Sequence, residues 1–107
     1  MRPALYTIIA EVAPGVETAW NQWQEEVHAQ RVLREPGFIA CRKWRDAEPT
    51  RDGWTRYVCH YELTGLDAME EYLGSDTARQ LRMDSELRFG AMMRISRQML
   101  TEVKRLG

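Results

Sequence analysis

His28 is the side chain in this sequence best suited to chemistry at neutral pH. It closes the run Trp20-Asn21-Gln22-Trp23-Gln24-Glu25-Glu26-Val27-His28, and an imidazole with an unperturbed pKa of about 6.5 can take or give a proton near pH 7. Glu25 and Gln24 precede it by one helical turn and can orient the ring. Projected at about 100° per residue, Val16, Trp20, Trp23 and Val27 form one stripe. Arg31 continues that stripe, and Gln24 and His28 lie along its border. A core helix normally carries Leu or Ala in such places. An aromatic floor bordered by an imidazole, an amide and a guanidinium instead describes a pocket wall. Arg31 can pair with a carboxylate or enolate on a ligand. Both residues also admit plainer accounts: a half-exposed histidine near a helix end, and an arginine with packed stem and solvated head.

Those groups need a frame, and the punctuation of the chain supplies one. Ala4 to Val12 is rich in β-branched and aromatic residues and predicts a first strand. Tyr6, Ile8, Ala10 and Val12 share one of its faces; Leu5, Thr7, Ile9 and Glu11 share the other. Pro14-Gly15 ends the strand, and the helix runs to about Glu35, where Pro36-Gly37 stops it. Phe38 to Asp46 and Trp54 to Leu63 predict a hairpin joined by the polar loop Ala47 to Gly53. Thr64-Gly65-Leu66-Asp67 has the form of a capping box, opening a second helix with Leu66, Met69, Tyr72 and Leu73 inward. Gly74-Ser75-Asp76 interrupts that helix, and Ser75 can cap a continuation through Ala78, Leu81, Ser85 and Phe89. Ile95 to Val103 alternates weakly and predicts a fourth strand. The order β-α-β-β-α-β predicts an α+β, ferredoxin-like fold, with two helices on one face of a four-stranded antiparallel sheet.

That topology assigns the remaining side chains. Tyr6, Tyr57, Cys59 and Tyr61 fall on the helix-covered face and are expected to line a pocket with Trp20, Trp23 and Gln24. The opposite face receives Phe38, Ala40, Arg42 and Trp44 from the second strand. Trp54, Arg56, Val58, His60 and Glu62 join it from the third. It is too apolar for water and too charged for a monomer's core, so a homodimer through this sheet face is expected. Cys41 and Cys59 share strand parity and are expected near one another as reduced thiols.

Composition narrows the function classes. A chain of 107 residues reads as one domain, 1–107, able to form a single core. Its 15 basic and 16 acidic residues are mixed along its length, which argues against a nucleic-acid partner. An apolar run of about 18 residues and the shape of a signal peptide are both missing, so a cytoplasmic protein with no membrane partner is expected. His, Asp, Glu and Cys have no metal-ligand spacing, and a Gly-rich phosphate loop is missing. The expectation is therefore no metal, no cofactor, and a small apolar or aromatic metabolite as partner.

In its strand order and in four stretches the chain resembles the dimeric α+β barrel superfamily. These are Trp20-xx-Trp23-xxxx-His28, Pro36-Gly37-Phe38, Arg56 to Leu63, and Glu71-Tyr72-Leu73-Gly74-Ser75. The superfamily includes EthD-like proteins, cofactor-free antibiotic-biosynthesis monooxygenases, muconolactone isomerases and small polyketide cyclases. The resemblance implies subunits joined through their sheets, each with its own pocket between sheet and helices. EthD-like chains often carry Glu-x-x-His here, as Glu25-Glu26-Val27-His28 does. Small polyketide cyclases place a Tyr where Tyr72 stands and use a His slightly further along. This chain has Asp76-Thr77-Ala78-Arg79 there, so His28 would have to supply the base. Core packing is the plainer account of Tyr72. The second helix has no His of the kind haem-binding relatives use. The resemblance and the residues together imply cofactor-free cyclisation, isomerisation or dehydration of an aromatic or polyketide-like metabolite. His28 would act as base, and Tyr72 or Arg31 would steady the oxyanion. A cofactor-independent monooxygenase and a non-catalytic carrier or sensor are the alternatives.

Overall fold

The computed structural model describes residues 2–107. Strand β1 (Ala4–Val12) sits inside an antiparallel sheet of order β2-β3-β1-β4, with β2 at Phe38–Arg45, β3 at Thr55–Leu63 and β4 at Met93–Thr101. The first three strands lie within a residue or so of their expected bounds. The fourth begins two residues before the expected Ile95, because Met93 already pairs with Val12. Its register brings Ile95 opposite Ala10 and Arg97 opposite Ile8, so both share the face of Tyr6. The expected ferredoxin-like α+β arrangement is the one observed.

The first helix is not regular. A 3-10 turn at Pro14–Val16 leads into α1 (Glu17–Trp23), a π-helical turn at Gln24–His28, and α2 (Ala29–Val32). A π turn takes one extra residue per round of backbone, so the inward stripe slips by one position beyond it. Trp20 and Trp23 are buried as expected, but the next inward residues are His28 and Val32 rather than Val27 and Arg31. Val27 is 43% exposed and Arg31 faces outward, correcting their expected places on the stripe. The Gln30 side-chain amide donates to the Glu25 carbonyl at 3.2 Å, occupying an acceptor within the turn.

A β-bulge produces a second slip. The β2–β3 pairing shifts between Phe38 and Ala40, so Phe38 stands opposite Leu63 while Ala40 stands opposite Glu62. The extra residue turns Phe38 to the helix side, where its ring meets Tyr72 edge-on at 4.9 Å and Tyr61 at 5.9 Å. Phe38 therefore belongs to the core and not to the open sheet face on which its parity placed it. Just before it, Gly37 adopts φ +88°, and a Cβ there would lie 2.4 Å from the Ala68 Cβ.

The second helical stretch divides into α3 (Leu66–Leu73) and α4 (Asp76–Phe89). The expected Thr64 capping box does not form; Gly65 occupies the cap position in extended backbone, with no side-chain cap bond. Ser75 behaves as expected. Its hydroxyl accepts from the Ala78 N–H at 3.1 Å and donates to the Tyr72 carbonyl at 2.6 Å, tying the end of α3 to the start of α4. Ser75→Ala should cost about 1 kcal/mol, read as a lower urea midpoint with an unchanged slope.

Two apolar clusters fill the space between sheet and helices. One gathers Tyr6, Val32, Tyr61, Leu63, Met69, Tyr72 and Leu81; the other gathers Ala10, Val12, Trp20, Trp23, Tyr57 and Met93. Each fully buried large side chain contributes roughly 1.5–3 kcal/mol. The opposite sheet face is laced with charge. Arg56 bridges Glu11 and Asp46, Arg94 bridges Glu11 and Asp52, and Arg94 lies 3.9 Å over the Trp54 ring. Trp44 remains 47% exposed on this face, and the buried Thr7 hydroxyl finds no hydrogen-bond partner among the described residues.

Candidate functional site

A cavity opens where the two clusters fail to meet. It leaves about 50 Å³ for the centres of water-sized molecules, room for about four waters at roughly 10–15 Å³ each. Its helix wall is Trp20, Trp23, Gln24 and His28; its sheet floor is Tyr6, Ile8, Cys59 and Tyr61. Tyr72 closes it from α3, and Ala78, Leu81, Arg82 and Ser85 close it from α4. Ile95 and Arg97 line it from β4.

The π turn has a direct chemical result here. It brings Trp23, Gln24 and His28 to the cavity together, and each carries a buried polar atom without a partner among the described residues: Trp23 Nε1, Gln24 Oε1 and His28 Nδ1. Buried polar groups are normally satisfied, so one indole donor, one amide acceptor and one ring nitrogen are left unsatisfied in the wall of the cavity. Gln24 is held by long contacts from its Nε2 to Cys59 Sγ and to Tyr61 Oη, both at 3.5 Å. The His28 ring packs against Trp23 at 4.8 Å between centroids. Burial lowers its pKa to about 4, with Arg31 and Arg97 adding to the shift and Asp84 opposing it. At neutral pH the imidazole is uncharged and able to accept a proton. Burial pushes the Tyr61 hydroxyl up as well, and pushes Tyr72 up to about 12, so both remain hydrogen-bond donors.

Tyr57 is not part of this wall, although it lies on the helix-covered face. Its hydroxyl donates to Glu17 Oε2 at 2.5 Å and accepts from Asn21 Nδ2 at 3.0 Å, while Trp20 stacks on its ring at 5.3 Å. Lys43 reaches Glu25 Oε2 and Asn21 Oδ1, each at 2.6 Å, and sits 5.0 Å over Trp20. Arg31, exposed by the slip of the helix, does not line the cavity. Of the expected site residues, Tyr6, Trp20, Trp23, Gln24, His28, Cys59, Tyr61 and Tyr72 converge, and Arg31 and Tyr57 do not.

Cys41 stands opposite Tyr61, and Cys59 opposite Lys43, so the two thiols are diagonal neighbours on one face and unbridged. The neighbouring Cys59 thiol lowers the pKa of Cys41 below the usual thiol range, and Cys41 together with burial raises that of Cys59.

Arg82, Ser85, Ile95 and Arg97 were not foreseen as pocket residues. Ser85 was legible as the polar member of the stripe through Ala78 and Leu81, and Arg97 follows from the parity of Ile95 once β4 is in register. Among the described residues no group of three or more His, Cys, Asp or Glu side chains gathers to hold a metal, and no helix is long and apolar enough to cross a membrane.

The fold recurs in solved structures of low sequence identity. The cofactor-independent oxygenase SnoaB of Streptomyces nogalater superposes with a TM-score of 0.65 at 20% identity, over 99% of this chain and 98% of that one. An EthD family protein of Bacillus halodurans does so at 0.65 and 15%, over 92% and 97%. A dimeric ferredoxin-like protein of an uncultured marine organism does so at 0.64 and 13%, over 99% and 100%. Among curated proteins none matches this sequence. Residues 3–103 match the family described as Domain of unknown function (DUF4286).

Proposed function

From a chain that belongs to the DUF4286 family, we propose a cofactor-free acid/base enzyme acting on a small aromatic or enolisable metabolite. The observation that carries this reading is His28 Nδ1, buried and unpartnered in an aromatic cavity, on a ring that burial keeps neutral. The imidazole takes a proton from a C–H or O–H of the substrate, and the electron pair moves onto the adjacent oxygen. The Tyr72 and Tyr61 hydroxyls, still protonated at neutral pH, donate to that oxyanion. The imidazolium formed beside it is stabilised by the new anion, which offsets the cost of charging a buried ring. Returning the proton to another carbon or oxygen completes an isomerisation or cyclisation, and passing it to a departing hydroxyl, whose C–O bond breaks to release water, completes a dehydration.

Oxygenation is the second reading, favoured by the fold shared with SnoaB, described as a cofactor-independent oxygenase. There the same proton abstraction leaves an electron-rich phenolate that reacts with dioxygen. Incubation with small phenols and enolisable ketones under an oxygen electrode separates the two. Oxygen uptake abolished in His28→Ala supports oxygenation; conversion without uptake supports isomerase-type chemistry. Ligand binding without conversion leaves a carrier.

The open sheet face supports a homodimer, now with Trp44, Trp54, Val58 and His60 but without Phe38. Sedimentation should give a dimer at micromolar concentration, and Val58→Glu should give a folded monomer. A monomeric parent protein would sink the proposal.

A further inference from the structure

The rim of the cavity carries two guanidiniums for which proton transfer to His28 has no use. Arg97 from β4 and Arg82 from α4 both line it. Among the described residues neither has a carboxylate within ion-pair distance, whereas Arg56, Arg79, Arg88 and Arg94 are each paired. Arg97 is held in place: its Nε donates to the Tyr6 hydroxyl at 3.0 Å, leaving both terminal nitrogens free for an acceptor. Arg82, Ser85, Ile95 and Arg97 also line an outer groove between α4 and β4, with Glu86 as its acidic member. The rim is thus the passage between the enclosed chamber and the surface.

Size sets the other half of the argument. The chamber's 50 Å³ for water centres corresponds to about four waters, the bulk of one six-membered ring. A single ring therefore matches the inner chamber, with the rim left for a substituent. We propose that the pocket's substrate is a single-ring aromatic carboxylic acid, with its ring in the chamber and its carboxylate on Arg82 and Arg97. The inference deepens the acid/base reading by naming the substrate class for that site. The unpartnered Trp23, Gln24 and His28 atoms then meet the ring's own polar substituent, and the planar guanidiniums match the carboxylate.

4-Hydroxybenzoate and 4-hydroxybenzamide differ at one group and are suitable probes, titrated by tryptophan fluorescence. The acid should bind at least tenfold tighter than the amide. Arg82→Gln should weaken acid binding about tenfold and leave amide binding within twofold, and Arg97→Gln should weaken acid binding by a similar factor. Because Arg97→Gln also releases Tyr6, Arg82→Gln keeps the test readable if that variant fails to fold. Equal affinities for acid and amide overturn the proposal, as does an acid affinity unchanged in Arg82→Gln, or no binding of either probe up to millimolar concentration. His28→Ala should retain the acid preference. A retained preference with undiminished turnover in His28→Ala would sink the base reading alone, and His28-dependent turnover without the preference would sink this one alone.

Discussion

Turnover should fall by about 10²–10⁴-fold in His28→Ala, the range for removing a positioned general base, while ligand binding persists. The pH dependence gives a sharper test. With the ring's pKa at about 4, the acid limb of kcat/KM for the parent protein should lie near pH 4, not near the 6.5 of a free imidazole. Stability should respond to the same shift. The unfolded chain takes up the proton at about pH 6.5 and the folded chain only near 4, so protons favour unfolding between them. The stabilisation from keeping this ring neutral is complete above about pH 6.5 and drains away as pH falls towards 4. The full loss is about 3 kcal/mol. Asp84 opposes the shift, and Arg31 and Arg97 reinforce it, so the drop should deepen slightly in Asp84→Asn. Unfolding free energies of His28→Gln from urea titrations at pH 7 and pH 4.5 should differ by about 2 kcal/mol less than those of the parent. An equal difference would mean that the imidazole is not buried uncharged.

Gly37→Ala should be among the most destabilising single substitutions, at about 3 kcal/mol or more. Two costs combine. At φ +88° a Cβ crowds its own carbonyl, costing roughly 1–2 kcal/mol. It would also stand 2.4 Å from the Ala68 Cβ, so the turn between α2 and β2 must withdraw from α3. Gly53→Ala isolates the first cost, because φ is +81° there and nothing lies within 4 Å. Chemical denaturation should show the Gly37 variant to be worse by about 2 kcal/mol, and Ala68→Gly should restore most of that difference. Equal losses at the two glycines would refute close packing of the turn on α3.

The sheet was legible because alternation is a local signal. Tyr6, Ala10 and Val12 are buried in the core as their parity requires, and Tyr57, Cys59 and Tyr61 of β3 pair with Ala10, Ile8 and Tyr6. Ser75 was legible for a similar reason, since its cap bond is made within its own turn. What was hidden were the two places where one residue interrupts a period. Nothing in Gln24 to His28 advertises a π turn, yet that turn decides whether Arg31 or Val32 faces the sheet. Likewise Ile39 looks like an ordinary strand residue, and the bulge beside it moves Phe38 from one face to the other. Both slips are set by tertiary packing, which a window of sequence does not contain. The guanidiniums of the rim were hidden because Arg97 depends on the β1–β4 register and Arg82 on where α4 begins.

The wide turn at Gln24–His28 also bears on how this chain descends and is compared with its relatives. It is what a helix does with one inserted codon: the backbone loops outward locally, and Ala29 and Val32 keep their places against the sheet. Deleting the exposed Glu26 would leave an ordinary helix with His28, Ala29 and Val32 facing the same way. A one-residue change of length at this turn is therefore nearly silent for the packing of the helix on the sheet. Alignments that forbid gaps inside helices will pair His28 with the wrong column of any relative lacking the extra codon.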